Sequence, residues 1–224
     1  MDVLGKIKNS FNVLGKKIQN IGSIGRKIFQ PKINAYVMPD SDKIYAAASI
    51  EMYKSPSSRL DIEDYKYTKG DAESGAWVSP TKIIIAFRES VTAKDWLISD
   101  VKIALGTEVT DSRVQKSIRF ADEISKQYPG RKITLTGHSL AGRAATIVSQ
   151  KTGLRVVSFS TGCGKSCITD YEKCQSSNRP SWCGLKKSHR VKGDPLSSAD
   201  LYGDVKIYDK KGSAPHAHSM KNFV

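Results

Sequence analysis

Nowhere in this chain do about 18 apolar residues run together, the length a bilayer-spanning helix needs, so no membrane span is expected. The opening residues also lack the roughly 7–15-residue apolar core of a secretory signal. Acidic side chains are scarce: 22 against 36 lysines and arginines in 224 residues, a formal net charge of +14 and a pI near 9.6. That shortage predicts attraction to something anionic, either nucleic acid or a membrane surface carrying acidic lipids. Histidine is scarcer still, with 4 in the chain (His138, His189, His216 and His218), so histidine-dependent chemistry has few candidates. No internal repeat is present. What remains is ordinary: 39% hydrophobic and 26% charged residues describe a globular protein with enough chain for one sizeable core.

Cysteine is absent except at Cys163, Cys167, Cys174 and Cys183. Two local disulfides could staple this segment, with the pairing left open. A structural zinc is a second reading, although these spacings are not standard for it, and free thiols are a third. A bridge would imply an oxidising compartment, or a secreted or packaged protein.

Residues 1–31 have their own pattern. Leu4, Ile7, Phe11, Leu14, Ile18, Ile21, Ile24 and Ile28 recur at intervals of three and four, one face of a helix. Lys6, Lys8, Lys16, Lys17, Arg26 and Lys27 decorate the rest, against the single acid Asp2. A basic amphipathic helix suits an anionic membrane surface or a partner groove. Its glycines (Gly5, Gly15, Gly22, Gly25) cost roughly 1 kcal/mol each in a helix interior, so helicity should depend on contact with a surface. Docking on the following domain, self-association and organelle targeting are the other readings. Pro31 ends the segment, and the domain proper spans residues 32–224.

Within that domain, helix signals cover Asp42 to Lys54, with Ser41 or Asp42 as cap, and Asp111 to Tyr128, capped by Asp111 or Ser112. Short strands are expected at Tyr65–Thr68 and Ala76–Ser79. The run Lys82-Ile83-Ile84-Ile85-Ala86-Phe87-Arg88 is apolar without alternation, as in a strand buried on both faces. Trp96 to Leu105 reads as helix or loop. Lys132–Thr136, a helix running to about Lys151, and Leu154–Ser160 continue the alternation of a mostly parallel sheet with helices on both faces. Residues 162–187, which carry the cysteines, read as a polar insertion. His189–Lys192 and Val205–Tyr208 are strand-like, and a tail completes the chain.

One stretch concentrates the chemistry. Thr134-Leu135-Thr136-Gly137-His138-Ser139-Leu140-Ala141-Gly142 reads as strand, tight turn and helix, with a serine at the apex. A serine there is held in a strained turn with its hydroxyl exposed above a helix N-terminus. Residues two before and two after must be small, and Gly137 and Ala141 are. A serine hydroxyl needs a base, and a histidine base needs an orienting carboxylate. His138 adjoins the serine and should point away from the hydroxyl. In the order serine, acid, histidine, Asp194 fits the acid and His216 or His218 the base. His189 is a third downstream histidine, and Asp200, Asp204 and Asp209 are further acids. Such a triad works without a cofactor or metal.

Thr136-Gly137-His138-Ser139-Leu140-Ala141-Gly142 resembles the nucleophile elbow of the class 3, fungal-type triacylglycerol lipases. Ile84-Ile85-Ala86-Phe87-Arg88-Glu89-Ser90 is similar to that family's Phe-Arg-Gly-Ser/Thr segment, and Asp95-Trp96-Leu97 to the residues that usually come next in it. Val191-Lys192-Gly193-Asp194-Pro195-Leu196 resembles the acid segment, and His218-Ser219-Met220 with Phe223 the histidine segment. The likeness covers roughly residues 42–224. It implies an α/β-hydrolase fold with Ser139 as nucleophile, Asp194 as acid, and His218 as base ahead of His216. The oxyanion would be held by the Leu140 amide together with Ser90. Glu89 stands where the family has glycine, and Ala141 where it has a second glycine. Any lid should lie between Ser90 and Asp111.

These residues point to hydrolysis of lipid carboxyl esters, lipase or phospholipase A in type, at a membrane surface bound through residues 1–31. A particle that must breach a membrane, such as a virion, is one setting for such a chain, and secretion another. A second reading is a membrane-binding or membrane-lytic protein whose hydrolase domain is impaired by Glu89. Nucleic-acid binding lacks a recognition motif or interleaved aromatics.

Overall fold

The computed structural model describes residues 37–88, 112–212 and 217–224. The expectations for residues 1–31, for Trp96–Leu105 and for a lid after Ser90 lie outside them.

Helix α1 (Asp40–Glu51) comes first. Pro39 holds the N-cap position and no side chain caps the helix, so Ser41 and Asp42 do not play the part expected of them. Asp42 is turned inward instead. It is 3% exposed, with Lys187 Nζ 2.5 Å and His189 Nε2 3.2 Å from its Oδ2. A buried carboxylate needs such partners more than a helix needs a cap.

Strands β1 (Lys66–Gly70) and β2 (Ser74–Val78) form a hairpin. Its turn is closed by Asp71, whose Oδ1 accepts from the amides of Glu73 and Ser74 at 2.8 and 2.7 Å. Next along the chain come β3 (Lys82–Phe87), α2 (Ser112–Gln127), β4 (Lys132–His138), α3 (Leu140–Thr152), β5 (Arg155–Phe159), α4 (Lys165–Gln175), β6 (Lys186–Val191) and β7 (Asp204–Tyr208). The seven strands form one sheet in sequence order. Pairing is antiparallel from β1 to β3 and parallel from β3 to β7, so the sheet is mixed and mostly parallel.

Strand β3 shows why the apolar run has no alternation. Side chains point to opposite faces by turns, and here both faces are covered. Ile83, Ile85 and Phe87 join a core with Leu135, Val148, Ala121 and Ile124, beneath α2 and α3. Ile84 and Ala86 join another with Trp77, Ala48 and Met52, beneath α1. A third cluster, with Phe159, Tyr208, Met220 and Phe223, fastens the C-terminal turn to the far half of the sheet.

The cysteine segment carries two local bridges. Cys163–Cys167 and Cys174–Cys183 are disulfides, one at each end of α4. Asp170 on α4 takes Arg143 of α3 at 2.8 Å, with both side chains buried, and Gln150 at 2.9 Å. Residues 186 and 187, expected within the insertion, open β6. Around the bridges, Ile168 packs with Ala199, and Tyr171 and Trp182 pack with Tyr202, so covalent bridges, an ion pair and a few apolar side chains together hold the segment.

Candidate active site

The parallel strands β4, β5 and β6 all end at one edge of the sheet, where an open α/β sheet presents its loops for chemistry. Ser139 follows β4 directly. Its backbone is held at φ 57° and ψ −125°, a strained conformation for a residue with a Cβ. Three main-chain bonds fix it there. The Ser139 amide donates to the Phe159 carbonyl at 3.0 Å, and its own carbonyl accepts from Gly162 at 2.9 Å and Arg143 at 3.2 Å. A Cβ on Gly137 would stand 2.6 Å from the main chain of Ala141, and one on Gly142 3.0 Å from the Gly137 carbonyl oxygen. These two glycines let the helix start close against the strand. Ala141 itself packs in the core, which accommodates its methyl.

The acid comes from the turn after β6. Gly193, in the left-handed region at φ 80°, delivers Asp194 into the interior. Asp194 Oδ1 accepts from the Leu196 amide at 3.1 Å, and Oδ2 from Ser197 Oγ at 2.6 Å. Arg190 holds the carbonyls of Ser197 and Ser198 at 3.0 and 2.9 Å, so the turn is braced from both sides. The same Oδ2 lies 2.9 Å from His218 Nδ1. On the other side of that ring, Nε2 lies 2.7 Å from Ser139 Oγ. Ser139, His218 and Asp194 thus form a continuous hydrogen-bonded row. Burial by itself pushes the Asp194 carboxyl up, but the His218 and Ser197 hydrogen bonds outweigh it and hold the group below the ordinary carboxylate range.

The other candidates fall elsewhere. His189 is fully buried between Asp42 and Tyr208, whose hydroxyl is 2.5 Å from its Nδ1, and it stacks on Phe159. Asp200 is paired with Lys186 and Ser188. Asp204 pairs with Lys206 at the surface, and Asp209 is exposed. His216, Glu89 and Ser90 lie outside the described residues. Leu140 opens α3, so its N–H is among the first-turn amides that no preceding helical carbonyl can accept. The row needs no metal or cofactor to move a proton between its members.

Two neighbours were not anticipated. Ser197, three residues after Asp194, is a local Asx-type arrangement that the Asp-Pro-Leu-Ser spacing could have suggested. Asn222 had no signal at all. Its Nδ2 holds the carbonyls of Ala217 and Ser219 at 3.1 and 2.8 Å, framing His218.

No family model matches this chain, and no curated protein sequence does. Solved structures do. One is a fungal lipase in complex with an inhibitor, with a TM-score of 0.44 and 20% identity over 69% of this chain and 72% of that one. Another is the Rhizomucor miehei lipase–propeptide complex, at 0.43 and 17% over 70% and 66%. A third is a mutant form of MDLA from Penicillium cyclopium, at 0.48 and 15% over 83% and 86%. With TM-scores below 0.5 these likenesses carry no argument, and both the fold and the chemistry are read from the residues of this chain.

Proposed function

We propose that the chain is a serine hydrolase that cleaves carboxyl esters of lipids, lipase or phospholipase A in type, at a membrane surface. The observation that carries this reading is the 2.7 Å contact between His218 Nε2 and Ser139 Oγ, with Asp194 2.9 Å behind the ring. Ser139 Oγ attacks the ester carbonyl as His218 Nε2 takes its proton, and Asp194 stabilises the imidazolium. His218 then returns the proton to the departing alcohol oxygen. Water, deprotonated by the same nitrogen, attacks the acyl carbonyl; the bond to Ser139 Oγ breaks, His218 returns that proton to Oγ, and the fatty acid leaves. The Leu140 N–H and the Ser90 segment hold the oxyanion, and losing one such donor costs about 3–4 kcal/mol.

Residues 1–31 supply attraction to anionic lipid, and residues 32–224 the hydrolysis. The disulfides suit an oxidising setting, such as a secreted protein or one packaged in a particle. Fatty-acid release from short-chain esters, triacylglycerols and anionic phospholipid vesicles, comparing wild type with Ser139→Ala, tests the proposal. Turnover that vanishes in the variant supports it. Vesicle leakage without serine-dependent release would favour a membrane-lytic protein with its hydrolysis impaired by Glu89.

A further inference from the structure

His138 contributes no group to the Ser139–His218–Asp194 row, yet both of its nitrogens are engaged beside it. It is the last residue of β4, 7% exposed, and immediately precedes the serine. Its Nε2 is 2.8 Å from the main-chain carbonyl oxygen of His218, and its Nδ1 is 2.8 Å from the hydroxyl of Tyr53. The two imidazole rings lie 4.8 Å apart between centroids.

A carbonyl oxygen only accepts, so Nε2 of His138 carries the proton. In the neutral ring Nδ1 is then an acceptor, and the Tyr53 hydroxyl donates to it. The direction of this chain is therefore Tyr53 hydroxyl to His138 to the His218 carbonyl. Tyr53 lies just past the end of α1, with the Arg88 guanidinium 5.9 Å from its ring centroid. The segment carrying His218 is held at successive carbonyls: Ala217 and Ser219 by Asn222, and His218 by His138. Asn222 belongs to the same C-terminal turn. His138 belongs to the strand that bears the nucleophile. It thus links the main chain of the base to the residue next to Ser139.

We propose that His138 is a positioning residue for the base: its Nε2–H, in the tautomer favoured by Tyr53, clamps the His218 carbonyl and so sets the distance from imidazole to Ser139. This rests on the hydrolase reading above. Misplacing reacting groups by about 1 Å costs on the order of 10²-fold in rate, which is the effect such a clamp withholds.

The test uses the full chain and a water-soluble short-chain ester, so that lipid binding does not enter. Glutamine can place its amide Nε2 where the imidazole Nε2 stands, whereas asparagine reaches only toward Tyr53. His138→Ala and His138→Asn should lose on the order of 10² in kcat with KM little changed, and His138→Gln should recover most of it. Tyr53→Phe should fall between wild type and His138→Ala. A second readout is the downfield proton resonance of the His218 Nδ1–H donated to Asp194. It should shift or broaden in the alanine and asparagine variants and persist in the glutamine one.

A His138→Ala protein with wild-type kcat and an unmoved resonance overturns the proposal, as does a glutamine variant no better than alanine. Should the alanine variant fail to fold by circular dichroism, the glutamine–asparagine contrast decides. Absence of Ser139-dependent turnover in the wild type would sink the hydrolase reading instead, leaving the resonance to judge the clamp alone.

Discussion

Asp194 reaches His218 from a turn that is itself anchored by Ser197, so the carboxylate oxygen 2.9 Å from the ring is also the one taken by a hydroxyl at 2.6 Å. The acid is therefore aimed before the base arrives. In the proposed hydrolase its role is to keep the proton of neutral His218 on Nδ1, leaving Nε2 free to accept from Ser139. Asp194→Asn should leave the fold intact and reduce kcat by about 10⁴, because the amide can present a donor and favour the wrong tautomer. Steady-state kinetics beside a thermal melt checks both halves of that statement.

Acid stability should reflect two buried carboxylates. Burial raises Asp42, but His189 and Lys187 outweigh it and hold it low; Asp194 is held low by His218 and Ser197 against the same effect. A group whose folded pKa is depressed contributes stability above its unfolded value, near 3.9, and loses it as pH falls through the folded value. Urea unfolding should accordingly show a plateau from neutrality down to about pH 4 and a decline below it. In Asp42→Asn that acid decline should be shallower than in wild type, from a lower plateau. An unchanged slope would contradict the assignment.

The elbow tolerates one kind of small residue and not another. Gly137→Ala brings a Cβ to 2.6 Å from the backbone of Ala141, where nothing flexible can give way. A destabilisation of about 1–3 kcal/mol should result, with loss of turnover as Ser139 shifts. Ala141→Gly should leave kcat near wild type and cost about 0.5–1 kcal/mol in helix propensity. Chemical denaturation of both variants measures the contrast.

Lys186, the first residue of β6, pairs with Asp200, and both side chains are 1% exposed or less. Lys186 also sits 4.2 Å above the Tyr202 ring, and Asp200 takes Ser188 as well. Removing one partner leaves a buried charge without compensation. Lys186→Met should cost about 3–5 kcal/mol, and adding Asp200→Asn should restore part of that. Strictly additive losses would show that the two do not act as a pair.

Local patterns made much of this protein legible in advance. The run at residues 82–88 needed only its lack of alternation to read as a strand covered on both faces, and Ile83 and Ile84 do enter different cores. The order of Ser139, Asp194 and His218 was likewise visible, because it is set by their sequence positions. Contacts between distant segments were not. Asp42 read as a cap because its neighbours in sequence are helical, while its true partners are 145 and 147 residues away on β6. Tyr53, the partner of His138 85 residues away, carried no local signal. The cysteine spacing left the pairing open, and the pairs that form join the first cysteine to the second and the third to the fourth.

The central claim is that Ser139 is a nucleophile activated by His218. Reaction with a fluorophosphonate followed by peptide mass analysis tests it most directly, since the label reports serine reactivity without assuming a lipid substrate. The account predicts one label per chain, on the peptide bearing Ser139. It should be lost in Ser139→Ala and formed orders of magnitude more slowly in His218→Gln. Labelling on another residue, or at the same rate in His218→Gln, would contradict it.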